Sequence, residues 1–307
     1  MVPVKKKSGK LKSILIFLVI LFLSSYFISS AIQQIYGDHK HGNVALIRIR
    51  GPIMVDKSSD FISQSHASSE NIIRLIDEAD ENPSIKAFIF DINSPGGSAV
   101  ASDEIASRIK KLDKPTIALI REIGASGGYW IASSADVIVA NKMSITGSIG
   151  VISSYLEFSG LFSRYNVTYQ RMVSGEYKDI GTPFKRLTDQ ENIILQGKLD
   201  TIHEFFIEEI ALNRNLTIPE VEELSTGEFY LGVEAKEVGL IDVIGTKDDA
   251  IAIIEKDINE SAILAEYEQE ESLFDVLGRL FSKMSFFVGK GLGSEFNIGT
   301  KSAGFFL

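Results

Sequence analysis

Ser126 stands in the run Gly124-Ala125-Ser126-Gly127-Gly128-Tyr129, directly before the chain's only tryptophan, Trp130. A serine hydroxyl attacks a carbonyl when a base takes its proton and backbone N–H groups hold the oxyanion that forms. Glycine beside the serine suits both needs, because it presents an N–H and has no side chain to block the approach of a substrate. The N–H of Gly127 is therefore a candidate oxyanion donor for attack by Ser126. A second glycine-rich stretch, Asn93-Ser94-Pro95-Gly96-Gly97-Ser98, offers another N–H. On spacing alone, two tight strand-to-helix turns with no chemistry describe these residues equally well.

The base is harder to read. The histidines are His39, His41, His66 and His203. None is placed to complete a Ser–His–Asp triad, and His203 falls inside a long helical pattern. Lysine can take the role if burial lowers its pKa from about 10.4 towards neutrality. Composition does not say which lysine. His39 and His41 sit in a polar linker, no H-E-x-x-H occurs, and there is no cysteine, so no metal centre is expected. The P-loop and G-x-G-x-x-G patterns are also absent, and no cofactor is expected.

The elements that must position these residues alternate between strand and helix. A strand over Asn43–Ile53 shows Val44, Leu46 and, after one slip, Ile49 as apolar positions, and Gly51-Pro52 stops it. A helix follows with Ile72, Ile73, Leu75, Ile76 and Ala79 at helical spacing. The continuous apolar run Ser84–Ile92 reads as a buried strand, broken by the first glycine loop. An amphipathic helix, Ala99–Leu112, a strand at Thr116–Ile120 and the Ser126 loop come next. Thr188-Asp-Gln-Glu191 has capping-box spacing and opens a helix to about Leu212, with Ile194, Leu195, Ile202, Phe205, Phe206 and Ile210 as its apolar positions. Such alternation with short connections means an α/β fold with a mostly parallel sheet and flanking helices. Loops at the carboxyl ends of its strands collect functional groups, and both glycine loops occupy such positions.

The 307 residues are 45% hydrophobic, enough for a substantial core. Five of the basic residues are lysines within residues 1–12, so the acidic net charge of −10 is more acidic still over the rest of the chain. That argues against nucleic acid as a partner. The uncharged stretch Ser13–Ile32 is about long enough to cross a bilayer as a helix. Lysines before it place the N-terminus in the cytoplasm and the body of the chain outside the cytoplasmic membrane. A cleaved signal peptide is the rival reading, with Ser29–Ala31 as a weak site. The expected organisation is a basic tail (1–12), a transmembrane signal-anchor (13–35), a linker (36–43), a catalytic domain (44–256) and a C-terminal extension (257–307). Within that extension Leu273, Phe274, Leu277, Leu280, Phe281 and Met284 form an amphipathic stripe, suited to core or subunit packing or to a membrane surface.

Five motifs in order, Asp91–Ser98, Gly124–Asp136, Ile145–Ile152, Ser174–Gly181 and Gly232–Gly245, resemble the signal peptide peptidase A (SppA) family in its short, single-domain, membrane-anchored form. The resemblance runs from about Val44 to Gly245. It implies a ClpP/crotonase-like fold and a Ser/Lys protease. It implies Ser126 as nucleophile, Lys178 in Gly175-Glu-Tyr-Lys-Asp-Ile-Gly181 as general base, and the N–H groups of Gly97 and Gly127 as the oxyanion hole. Ser148, Thr146 and Tyr129 become supporting residues, with Ser148 the alternative nucleophile. Lys185 stands nearby, where the family more often shows Ser-Pro and a basic residue, but Lys178 is the lysine that matches the motif. The family further implies a dome-shaped ring of identical subunits on the membrane, an octamer among the candidate sizes, with serine and lysine supplied by neighbours. The implied substrates are cleaved signal peptides and other apolar peptides. Two rivals are a crotonase-type acyl-CoA enzyme, which shares the oxyanion hole but uses a carboxylate, and a non-catalytic membrane scaffold.

Overall fold

The computed structural model describes residues 17–27, 41–56 and 66–268. Residues 17–27 are helical (α1), with their apolar side chains exposed. They lie inside the expected span Ser13–Ile32, the rest of which falls outside the described residues. Among the described residues no helix is long and apolar enough to cross a membrane. The C-terminal amphipathic stripe, 273–284, also lies outside them.

The sheet follows from sequence segments that are apolar on both faces. Its strands are β1 (Val44–Arg50), β4 (Ala87–Ser94), β5 (Thr116–Ala125), β6 (Val137–Ala140), β7 (Ile145–Gly147), β8 (Phe229–Leu231), β9 (Val243–Ile244) and β10 (Leu264–Tyr267). The order is β10-β1-β4-β5-β6-β9, with β7 beside the second half of β5 and β8 beside β7. Every pairing is parallel except β7 with β8. A separate pair, β2 (Ile53–Met54) and β3 (Ala67–Ser68), lies just beyond β1. Both faces of the main sheet are covered, so β1 needs no slip. Ala45, Ile47 and Ile49 enter the larger core, while Val44 and Leu46 enter the smaller one.

The larger core is built with α2 (Ser69–Glu81), α3 (Ala99–Ile109) and α4 (Gly127–Ser133), and with the last turns of α6 (Asp189–Arg214). The smaller core lies against α9 (Lys247–Ile258) on the other face. Helix α9 runs across position 256, where the catalytic domain was expected to end, and β10 then pairs with β1. The short α7 (Ile218–Leu224) and α8 (Gly232–Glu237) join α6 to the far edge of the sheet. There Arg214 grips Asp242 with two bonds, of 2.7 and 3.0 Å.

Helix α6 starts at the expected capping box, with Thr188 and Glu191 bonded reciprocally. Its expected apolar face is only partly buried. Phe206, Ile207, Ile210 and Ala211 reach the core, whereas Phe205 is exposed. The preceding segment, 151–188, which includes the short α5 (Ser159–Arg164), contributes no buried residue. Ile152 and Met172 in it are 84% and 92% exposed.

Tyr129 is wholly buried, and its phenol donates a 2.7 Å hydrogen bond to the carbonyl of Leu240. Burial pushes its pKa well above the ordinary tyrosine value. Tyr129→Phe leaves that carbonyl without its donor, and a loss of about 1–3 kcal/mol is expected in equilibrium denaturation.

Candidate active site

The two glycine loops meet because β4 and β5 are neighbours. Ile92 pairs with Ile120 and Ser94 with Gly124, so β5 carries extra residues between the two pairings. Asn93 fills the resulting gap, its Oδ1 accepting the N–H of Ile123 at 3.0 Å. Beyond this point β5 leaves β6 and pairs with β7. The irregularity thus lifts the end of β5, with Ser126, out of the main sheet and beside the loop after β4.

Ser126 is the turn from β5 into α4 and has φ 51° and ψ −123°. A non-glycine residue in such a conformation costs on the order of 1–3 kcal/mol and persists only where its surroundings hold it. Here the Ser126 N–H donates to the Gly147 carbonyl at 2.8 Å, and its carbonyl accepts from Tyr129 and Trp130, both at 2.9 Å. The side chain makes no capping bond and is half-buried.

The loop after β4 is equally constrained. Gly96 has φ 96°, and a Cβ there would lie 2.7 Å from the Gly127 nitrogen and 2.9 Å from the Ser126 Cβ. A Cβ on Gly127 would lie 3.3 Å from the Gly97 nitrogen and 2.3 Å from the Ser102 Oγ. Hence the N–H groups of Gly97 and Gly127 lie close together beside Ser126. Neither donates a backbone or side-chain hydrogen bond among the described residues. Ser94 braces the loop from beneath, donating to the Gly51 carbonyl at 2.6 Å and accepting from the Gly96 N–H at 3.1 Å.

The three residues expected to support the site do different things. Thr146 is fully buried and donates to the Gly124 carbonyl at 2.9 Å, which fastens β7 to β5 behind the serine. Tyr129 points into the core. Ser148 has φ 50°, donates to the Gly227 carbonyl at 3.2 Å, and follows Gly147, the residue that accepts from the Ser126 N–H. His203 lies on α6 with its Nε2 buried and unpartnered. A cavity of about 390 Å³ opens on the same rim of the sheet, between Arg50, Asn93, Arg121, Asn141 and Lys247, and does not include Ser126.

Lys178 lies on a turn in the exposed 151–188 segment, its N–H bonded to the Gly175 carbonyl at 3.2 Å. Its amine forms no ion pair among the described residues and no hydrogen bond to Ser126. Lys185 is the opposite case. It is bonded to Glu191, which is buried, and lies 3.3 Å from Asp179. The Glu191 bond, with Asp179 adding to it, raises the Lys185 pKa, so this lysine is held as an ammonium. Asp179 also takes the guanidinium fork of Arg171, at 2.7 and 2.9 Å. In the sequence, Asp179 falls within the Gly175–Gly181 motif without an assigned role, and nothing singles out Arg171. Their only sequence signal is the wide separation of opposite charges around a lysine, which a linear pattern does not resolve.

Residues 108–260 match the model of peptidase family S49. A protein of Methanocaldococcus jannaschii named as a protease is 34% identical over 235 residues, 75% of this chain and 74% of its own length. A protein of Enterococcus faecium named for signal peptide peptidase SppA is 33% identical over 235 residues, 75% of this chain and 68% of its own. The chloroplastic serine protease SPPA of Arabidopsis thaliana is 31% identical, over 78% of this chain but 37% of the longer relative. The solved structure of a membrane-bound stomatin-specific protease mutant aligns over 74% of this chain and 94% of its own at 16% identity, with a TM-score of 0.45, too loose a likeness to bear on the site.

Two outcomes follow from the geometry. A methyl group on Gly97 would lie 2.1 Å from the Ile53 carbonyl oxygen, so Gly97→Ala is expected to cost about 1–3 kcal/mol, read as a lowered Tm. The Arg171 fork, with Lys185 adding to it against burial, holds the Asp179 carboxyl at about 2. An unfolded aspartate titrates at about 3.9, so the pair should stabilise the folded segment above that pH and break as pH falls through about 2. The Arg171 Nε–H resonance, followed by NMR through an acid titration, checks this.

Proposed function

Because the chain belongs to peptidase family S49 and is a serine peptidase of the SppA type, we propose that it is a membrane-anchored endopeptidase working through a Ser126–Lys178 dyad. The observation that carries this reading is the pair of unspent N–H groups, Gly97 and Gly127, close together beside a serine held at positive φ. Backbone donors fixed before substrate arrives stabilise an oxyanion without reorganising.

In this reading the neutral Lys178 amine accepts the Ser126 hydroxyl proton as Oγ attacks a peptide carbonyl. The carbonyl oxygen becomes an oxyanion facing Gly97 and Gly127. Lys178 returns the proton to the leaving amine, and the C–N bond breaks to leave an acyl ester on Ser126. Water, losing a proton to the same lysine, attacks the ester and releases the acid, and Ser126 recovers its proton. Lys178 is favoured over Lys185 because Lys185 is engaged by two carboxylates. Ser148, at the next turn of the backbone beside Ser126, is read as a supporting hydroxyl.

The dyad is read as shared between identical subunits of a ring, for two reasons. Lys178 has no bond to Ser126 within the chain. The segment that bears it exposes Ile152, Leu156, Tyr165 and Met172, apolar surface of the kind that association covers. Ser13–Ile32 is read as the anchor that leaves the catalytic domain on the outer face of the cytoplasmic membrane. Apolar peptides, among them signal peptides already cleaved from secreted proteins, are the proposed substrates.

The test uses the full chain in detergent micelles and an unstructured apolar peptide. Ser126→Ala and Lys178→Met should each lower kcat by at least about a thousandfold with folding intact. A Lys178→Met protein as active as the unaltered one sinks the dyad. Co-assembling the two inactive variants in equal amounts should restore up to about a quarter of the activity if neighbours share the site. No recovery in a mixed ring means that each subunit carries its own dyad.

A further inference from the structure

The 151–188 segment has no buried residue of its own, yet it carries the lysine that must meet a hydroxyl to within a hydrogen-bond length. Its apolar packing is a partly exposed aromatic group, Phe162 and Tyr169 on Phe184, so the turn at 178 needs a further tie. The residue after the lysine, Asp179, has a side chain only 10% exposed. Its Oδ2 accepts from Arg171 Nε at 2.7 Å, and its Oδ1 accepts from Arg171 Nη2 at 2.9 Å, with Lys185 Nζ 3.3 Å away. Arg171 also donates to the carbonyl of Glu176, on the same turn as the lysine, at 2.7 Å. Lys185 continues the chain of contacts to Glu191. Glu191 in turn accepts the Thr188 N–H at 2.9 Å and caps α6, the longest helix described.

We infer that Asp179 is a positioning residue for the lysine base: it ties the turn bearing Lys178 to the start of α6, and its oxygens are engaged by Arg171 and Lys185 rather than by Lys178. Two consequences follow. The backbone at 178 is placed from a rigid helix through four charged side chains, two of each sign. The Lys178 amine also lacks a carboxylate partner among the described residues, although a carboxylate is next in sequence, so no ion pair has to be broken before it takes the serine proton. This inference rests on the reading of Lys178 as the base.

The experiment compares Asp179→Asn, Asp179→Glu, Arg171→Lys and Lys178→Met in the full-length protein, with kcat and KM on the apolar peptide, the Tm and the assembly size measured for each. Asp179→Asn keeps the shape and loses the charge. It should lower kcat about ten- to a hundredfold with KM within about twofold, because a displaced catalytic group loses rate rather than binding. Asp179→Glu should recover most of that loss. Arg171→Lys, which keeps the charge and loses the fork, should fall between the unaltered protein and Asp179→Asn, and it serves as the reporter if Asp179→Asn does not assemble. Full kcat in both Asp179→Asn and Arg171→Lys overturns the inference. So does a loss in Asp179→Asn that appears wholly in KM, or one that Asp179→Glu does not recover. An active Lys178→Met protein defeats the dyad reading itself. An inactive Lys178→Met beside a fully active Asp179→Asn defeats only the role given to Asp179.

Discussion

The site depends on one mismatch in the sheet. Strands β4 and β5 run in register through Ile92 and Ile120 and then lose it, with Asn93 bonding across to the Ile123 N–H. Regular pairing through this point would keep β5 in line with β6. Because β5 departs, its end can pair with β7 instead, and the Gly147 carbonyl becomes available to hold Ser126 at positive φ. The same departure brings the Gly127 nitrogen close to the loop after β4. The glycines there are required by contact, since a Cβ on Gly96, Gly97 or Gly127 would overlap neighbouring atoms.

Two kinds of cohesion divide the chain. The sheet and its helices are held by apolar burial on both faces, with residues such as Phe88, Phe90, Ile89 and Leu119 fully enclosed. The segment 151–188 is held by ions, backbone turns and a small aromatic group, in which Phe162 and Tyr169 pack on Phe184. Burial makes the sheet and its helices a platform held by the chain's own apolar cores. The surface segment, fixed largely by charge pairs, leaves apolar side chains such as Ile152, Leu156 and Met172 exposed. Under the proposed dyad, Ser126 belongs to the platform held by burial and Lys178 to the segment held by charge pairs.

Much of this was legible in the sequence, for reasons that differ by element. The buried strand expected within 84–92, which is β4, is plain because both of its faces are apolar, and the start of α6 because a capping box is a local pattern. Ser126 and the two glycine loops stood out because close approach of backbones leaves glycine as the residue that fits. The face of α6 was read less well. Phe205 has the spacing of a core residue but is exposed, since the helix meets the core only over its last turns.

What the sequence by itself determined is the alternating α/β plan, the likeness to the SppA family and the residue types at the two turns, because each is encoded in local pattern or in motifs read in order. Only the tertiary structure decided which groups face one another. The Asn93 bridge, the turning of Tyr129 into the core, the bracing of β7 by Thr146 and the capture of Lys185 by Asp179 and Glu191 each join positions through a side chain's direction. Two lysines seven positions apart look alike in a sequence. Folded, one is an ion-paired ammonium and the other has no counter-ion among the described residues, because charge pairing depends on distances that only the fold sets.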